Sequence, residues 1–259
     1  MTPIPRVGGT EPHSPMAPQA ATDAMAAEAR GAEDGGALEW RCFIKLKEDP
    51  ERAVKVKDEL SSVLEEGLAR VFGASVHTQC CQPTECREDR YVASTHELGL
   101  KLAERAGGDV PESKALAWTD PYTGAERWCK STTSVSLLVR GAQEYRLEKE
   151  RRRWKLKKMA KQTDWRGVKA VELTQVNVLR GAEGSGESEG DGRSAEPWLS
   201  VCVEAKTSEA LQRALADLAI VDAVARRGPL MRNATFDSPA ALCVSYPRFV
   251  AVLDGRSAL

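Results

Sequence analysis

The 259-residue chain has no run of 18 or more apolar residues, so it carries no ordinary membrane-spanning helix and reads as a soluble protein with no membrane partner. It also lacks an excess of charge of either sign: 37 Lys and Arg stand against 38 Asp and Glu. No whole-molecule field draws it toward nucleic acid, and any site for a polyanion has to be local. The glycines gather in linkers, and the sequence holds no Ser-His-Asp arrangement, no phosphate-cradling glycine loop and no dinucleotide fingerprint. An even set of cysteines is missing too. The seven present (Cys42, Cys80, Cys81, Cys86, Cys129, Cys202 and Cys243) fall partly in apolar strand-like segments, where free thiols pack as small hydrophobes, which points to a reducing, cytoplasmic compartment. Residues 1–37, rich in Ala, Pro and Gly, have neither the apolar centre of a secretory signal nor the acid-poor composition of a transit peptide, and read as a disordered tail.

What is there begins at Leu38. Trp40, Cys42, Ile44 and Leu46 alternate with Arg41, Phe43, Lys45 and Lys47, the two-residue period of a strand with one apolar and one mainly basic face. Asp49 as N-cap and Pro50 at the first helical position then open a helix whose stripe is Val56, Leu60, Val63, Leu64, Leu68 and Val71, stopped by Gly73. Residues 74–90 read as strand or loop. In "ELGLKL" Lys101 opposes Leu98, Leu100 and Leu102; "GGDVPESK" reads as a turn-rich connector, and "ALAW", an Asp120–Gly124 turn and "AERWCKSTTSVSLLVR" as hairpin material. There Glu126, Trp128 and Lys130 share a side, continued by Ser134, Ser136 and Arg140.

The segment "EYRLEKERRRWKLKKMAKQ" has a helical composition but no clean helical stripe; as a strand it puts Lys149, Arg151 and Arg153 on one face. "AVELTQVNVL" is a further strand, and the Gly/Ser/Glu-rich residues at about 180–196 form a flexible insertion. In "WLSVCVEA" Ser200, Cys202 and Glu204 face away from Leu199, Val201 and Val203, before Thr207 or Ser208 caps a helix bearing Leu211, Leu215 and Leu218. "ALCVSYPRFVAVL" reads as a last strand bent or edged at Pro247.

Taken singly, each basic strand face is a solvated surface. Two apolar-striped helices, however, need an apolar sheet face to cover, which places them outside the sheet. If that sheet closes, its charged face becomes the interior, and an interior of Lys, Arg and a few Glu cannot be a dry core. The expectation is an α+β fold: residues 38–255 as one antiparallel β-barrel with helices packed outside, holding an anionic ligand.

In order and spacing, "DRYVASTHELGLKL", "AERWCKS", "EYRLEKERRRW", "AVELTQVNV", "WLSVCVEAK" and "SYPRFVAVL" resemble the CYTH-like, triphosphate tunnel metalloenzyme superfamily over residues 38–253. The resemblance implies an antiparallel tunnel in which Lys101, Lys130, Lys149 and Arg151 hold a polyphosphate such as a triphosphate, and Glu126, Glu172 and Glu204 hold Mg²⁺ or Mn²⁺. The first strand departs from the pattern. Where the family has Glu-x-Glu-x-Lys, this chain has Glu39, Arg41 and Phe43, with Lys45 as a displaced cation, and an arginine in place of a carboxylate repels a hard divalent ion. The arginine-rich segment that follows in the family is reduced here to "LKLAER", with Lys101 and Arg105. The implied activity is a metal-dependent triphosphatase-like hydrolase or a non-catalytic module that keeps the cations.

Two further readings stand beside it. The run from Arg146 to Lys161 surrounds Trp154 with cations and could bind single-stranded nucleic acid. His77, Cys80, Cys81 and Cys86 lie within ten residues and are all competent zinc ligands, whereas His13 and His96 have no partner pattern.

Overall fold

A computed structural model describes residues 36–46, 50–94, 97–105, 108–131, 145–180, 195–227, 230–231 and 241–253. The expectations for the N-terminal tail, Asp49, His96, the face carrying Ser134, Ser136 and Arg140, and the insertion at 181–194 lie outside these residues, as does the side chain of Arg105.

The strands are β1 (Leu38–Lys45), β2 (Glu85–Ser94), β3 (Leu98–Arg105), β4 (Gly108–Thr119), β5 (Glu126–Ser131), β6 (Tyr145–Lys155), β7 (Val168–Arg180) and β8 (Ala195–Ala205). They hydrogen-bond in the order β5-β4-β3-β2-β6-β7-β8-β1, every neighbouring pair antiparallel, and β1 returns to β5 through Leu38↔Arg127 and Glu39↔Glu126. That pairing closes the sheet into an eight-stranded barrel. A two-residue strand β10 (Ala241–Leu242) pairs with β1 at Phe43, on the edge opposite β8 and further along from β5, and pairs with β9 (Leu230–Met231).

The outer face is apolar where helices cover it. In α1 (Pro50–Phe72) Leu60, Leu64 and Leu68 repeat every four residues and are fully buried. They meet the outward Trp40, Cys42 and Ile44 of β1, Leu199, Val201 and Val203 of β8, and the buried side chains of α3 (Ser208–Leu218) and α4 (Ile220–Ala225). Gly73, at φ +82°, ends α1 in a left-handed turn, its N–H donating to the Ala69 carbonyl at 2.8 Å. Thr207 caps α3 by accepting from the Ala210 N–H. None of the described helices is long and apolar enough to cross a membrane.

The inner face changes character along the barrel. On β6, Arg153 and Arg151 give way to Lys149, then to buried Leu147 and Tyr145; on β7, Glu172 and Thr174 give way to buried Val176 and Val178. On β1 the inward series is Glu39, Arg41, Phe43. One half of the interior is therefore charged and the other apolar.

The apolar half is filled by the C-terminal segment, where the expected strand is a helix, α5 (Tyr246–Leu253). Pro247 sits in its first turn, where a missing N–H costs nothing, and Phe249, Val250, Val252 and Leu253 are all buried. A segment apolar on every side has no stripe by which sequence periodicity can tell helix from strand. Phe249 stacks on Phe43 at 4.0 Å between ring centroids and meets Trp198 edge-on at 5.1 Å. At Gly99 of β3 an added Cβ would lie 2.5 Å from the Pro247 ring, so a side chain there would displace the start of α5. The helices expected outside are outside, and this one is within.

Two other elements differ from expectation. The turn-rich connector belongs to β4, carried by its full pairing with β3, and residues 74–90 divide into α2 (Val76–Cys80) and the start of β2. The ambiguous basic segment is, as a strand reading has it, strand β6 over Tyr145–Lys155, where every residue is paired to β7, and it ends in a short 3-10 turn at Met159–Gln162.

Removing the plug tests this arrangement. Phe249→Ala is expected to lower the unfolding free energy by about 3–5 kcal/mol, read as a lower denaturant midpoint at unchanged slope.

Candidate anion-binding cavity

Above α5 lies a cavity of about 400 Å³ whose walls carry seven basic and five acidic side chains: Arg41, Arg87, Lys101, Lys114, Lys130, Arg151 and Arg153, with Glu39, Asp89, Glu112, Glu172 and Glu204. Tyr91, Trp128, Ser245 and Tyr246 also line it. These groups come from all eight strands, whose alternation turns them inward and whose closure brings them together.

Five of the residues expected at the site, Lys101, Lys130, Arg151, Glu172 and Glu204, line this one cavity. Lys149 is buried beside it, its Nζ 2.6 Å from Asp89 Oδ2, which also belongs to the cavity wall. Lys45 is not part of it. Phe43 stands between Arg41 and Lys45 on the same face, so Lys45 lies beyond the apolar plug, 3.6 Å from Glu196. Glu126 is buried behind the wall and fastens α5: Oε2 accepts from Trp128 Nε1 (2.9 Å) and the Ser245 N–H (3.2 Å), and Oε1 from Arg248 (2.7 Å).

The carboxylates of the cavity are bound by cations of the chain. Arg41 Nη1 donates to Glu172 Oε1 and to Ser200 Oγ, both at 3.0 Å, while Arg151 Nη1 donates to Glu172 Oε2 at 3.3 Å. Arg153 Nη2 reaches both oxygens of Glu204, at 2.9 and 2.7 Å. Asp89 receives Lys101 at 2.5 Å and Arg87 at 3.2 Å besides Lys149. Burial opposes ionisation of Glu172, but Arg41 and Arg151 outweigh it and bring its carboxyl down to about 2. At Asp89, too, burial is outweighed, by Lys149, Arg87 and Lys101, and the carboxyl is held well below the ordinary range. Burial lowers Lys149 to about 7 against the pull of Asp89. At Glu204 burial wins over Arg153, and Glu39 and Glu172 add to it, so this carboxyl is raised.

This donor set does not fit Mg²⁺ or Mn²⁺. Such ions need carboxylate oxygens facing an open position. Every oxygen of Glu126, Glu172 and Glu204 already faces an arginine or another donor, and Arg41 lies between Glu172 and Ser200. Among the described residues no group of three or more His, Cys, Asp or Glu is placed to hold a metal ion. The candidate zinc ligands separate: Cys80 Sγ contacts Met159 Sδ, Cys81 Sγ accepts from Arg152 Nε, and Cys86 is exposed on β2.

Donors remain on the cation side. The Nε–H groups of Arg41, Arg87, Arg151 and Arg153 are buried and have no acceptor among the described residues; the same holds for Ser245 Oγ and Tyr246 Oη. Lys114 and Lys130 sit directly opposite one another across β4 and β5, a like-charge pair that repels, and neither has a carboxylate partner among the described residues. Tyr246 forms the floor, with Lys149 Nζ 3.3 Å and the Arg41 guanidinium 4.4 Å from its ring centroid. Of the Arg146–Lys161 run, Arg152 lies over the Trp154 ring at 4.9 Å from its centroid, and the ring is fully buried and closed to a nucleobase.

Compared with known proteins, the chain matches no family model and no curated protein.

Arg87, Asp89, Lys114, Ser245 and Tyr246 escape the sequence reading. The alternation Arg87, Asp89, Tyr91 is a usable signal in "CREDRY", whereas the Lys114–Lys130 pairing depends on the register of β4 with β5 and has no local signature.

The buried pair sets an acid limit on stability. Glu172 falls from 4.5 to about 2 on folding, so its contribution is complete above pH 4.5 and is lost as pH falls toward 2. The loss amounts to about 3 kcal/mol. Glu172→Gln is expected to cost about 3–5 kcal/mol near pH 7, by leaving Arg41 unpaired, and to flatten the acid limb. Denaturant melts of both proteins between pH 7 and 3 measure the two effects.

Proposed function

We propose that the protein binds a polyphosphate-type anion, such as a triphosphate, in the charged half of the barrel without a resident divalent metal. The observation that carries this reading is the gathering of seven basic side chains, against five acidic ones, in the wall of one cavity. The facing Lys114 and Lys130 add to it, since an anion between them turns a repulsion into two attractions. The resemblance to the CYTH-like superfamily leads to the same ligand class, and Arg41 accounts for the departure from it by occupying, as a fixed cation, the neighbourhood where a carboxylate would favour a metal. The protein is thus a binding module rather than a triphosphatase, and its seven unpaired thiols suit a reducing, cytoplasmic setting.

The deciding experiment is thermal shift and calorimetry with tripolyphosphate, in EDTA and in Mg²⁺ or Mn²⁺, together with a phosphate-release assay. Expected are stabilisation in EDTA, about tenfold or greater weakening in Lys130→Ala and Lys114→Ala, and no phosphate release. Absence of binding under all conditions overturns the reading. Phosphate release that needs the metal and disappears in Glu172→Gln replaces it with hydrolysis.

A further inference from the structure

The segment that carries the cavity floor leaves β1 through a pair of thiols. Phe43 and Leu242 are register partners, and one step further along the same antiparallel ladder Cys42 faces Cys243, their sulfurs 3.1 Å apart. Cross-strand neighbours at this spacing meet the distance requirement of a disulfide with a small side-chain adjustment. Cys42 is fully buried in the core under the helices, and burial pushes its thiol up. Cys243 is partly exposed. It lines a surface pocket of about 490 Å³ with Trp40, Tyr122, Leu215 and Asp222, large enough to admit a small molecule. Beyond Cys243 the chain continues directly into Ser245 and Tyr246 of the cavity and then into α5.

We propose that Cys42 and Cys243 constitute a reversible disulfide site, oxidised by a low-molecular-weight disulfide entering through this pocket, and that closing it pins the α5 segment to β1. The Cys243 thiolate attacks one sulfur of the incoming disulfide, forming a mixed disulfide and expelling one thiolate. Cys42 then gives up its proton and attacks Cys243 Sγ, expelling the second. Two protein thiols are oxidised, the small disulfide is reduced to two thiols, and the two protons released on the protein side go to those leaving groups. The assignment of order follows access: only Cys243 borders the pocket, and only Cys42 is near enough to resolve it. In a reducing compartment such a bond is transient, as suits a sensor.

The test uses the full chain treated with oxidised glutathione, followed by peptide mapping, melting and hydrogen exchange. Expected are loss of two hydrogen masses, a Cys42–Cys243 linked peptide, a rise in Tm on the order of 5 °C, and slower exchange over residues 241–253, all reversed by dithiothreitol. Cys243→Ser is expected to abolish the change, and Cys42→Ser to leave glutathione attached at Cys243. If Cys42→Ser does not fold, the partly exposed Cys243→Ser carries the comparison. A free Cys243 under conditions that modify the exposed Cys86 overturns the site, and a linked peptide with unchanged exchange over 241–253 overturns the pinning.

Discussion

The structure depends on the ion pair between Arg41 and Glu172, at 3.0 Å in the barrel interior, where both side chains are almost wholly buried. Neither charge could be placed there alone, since an unpaired buried ion costs several kcal/mol. Together they tie β1 to β7 across β8, whose Ser200 accepts a second bond from the same guanidinium nitrogen. Arg151 on β6 closes the other side of Glu172. Four consecutive strands are thus joined on their inner face by polar bonds, while their outer face is joined by hydrophobic contact with the helices. The interior resists collapse because its lining is charged, and the buried carboxylates of that lining are held by paired cations.

α5 connects the two halves of the interior. Its apolar side chains fill one end against Phe43 and Trp198, and its first residue, Tyr246, presents a ring face to Lys149 and Arg41 at the other. An aromatic ring suits this boundary: its edge packs as hydrocarbon, while its negative face accepts cations that have left water. Glu126 secures the same junction through Arg248 and the Ser245 amide. A residue that sequence resemblance assigns to metal therefore acts in this fold as the fastening of the floor.

The sequence made the barrel wall legible wherever side chains alternate. β1, β6, β7 and β8 each carry a two-residue period, and the parity assigned to Lys101, Arg151, Glu172 and Glu204 is the inward one. Axial height was not legible. Arg41 and Lys45 share a face, yet the cavity includes one and not the other, because parity records direction and says nothing about position along the axis. The intervening Phe43 was the available sign: an aromatic on a charged face marks where charge stops. α5 was misread because Phe249–Leu253 is an unbroken apolar run without a stripe, and the Lys114–Lys130 pair was invisible because register is a property of two strands.

Arg41 brings the interior a fixed positive charge of a different kind from a bound metal ion. A divalent ion brought to a carboxylate cluster is exchangeable, and with it the positive charge that faces the ligand. Arg41 supplies a cation that neither dissociates nor loses its proton at any physiological pH, since guanidinium stays charged above pH 12. Its Nη1 is bonded to Glu172 and Ser200, and its charge still adds to the potential of the cavity it lines. On the proposed reading, recognition in this cavity rests on hydrogen-bond geometry from planar groups held by their own counter-ions, which favours phosphoryl oxygens over compact halide-like anions. Affinity built this way falls with competing polyanions and is indifferent to chelators, the reverse of a site that depends on a metal.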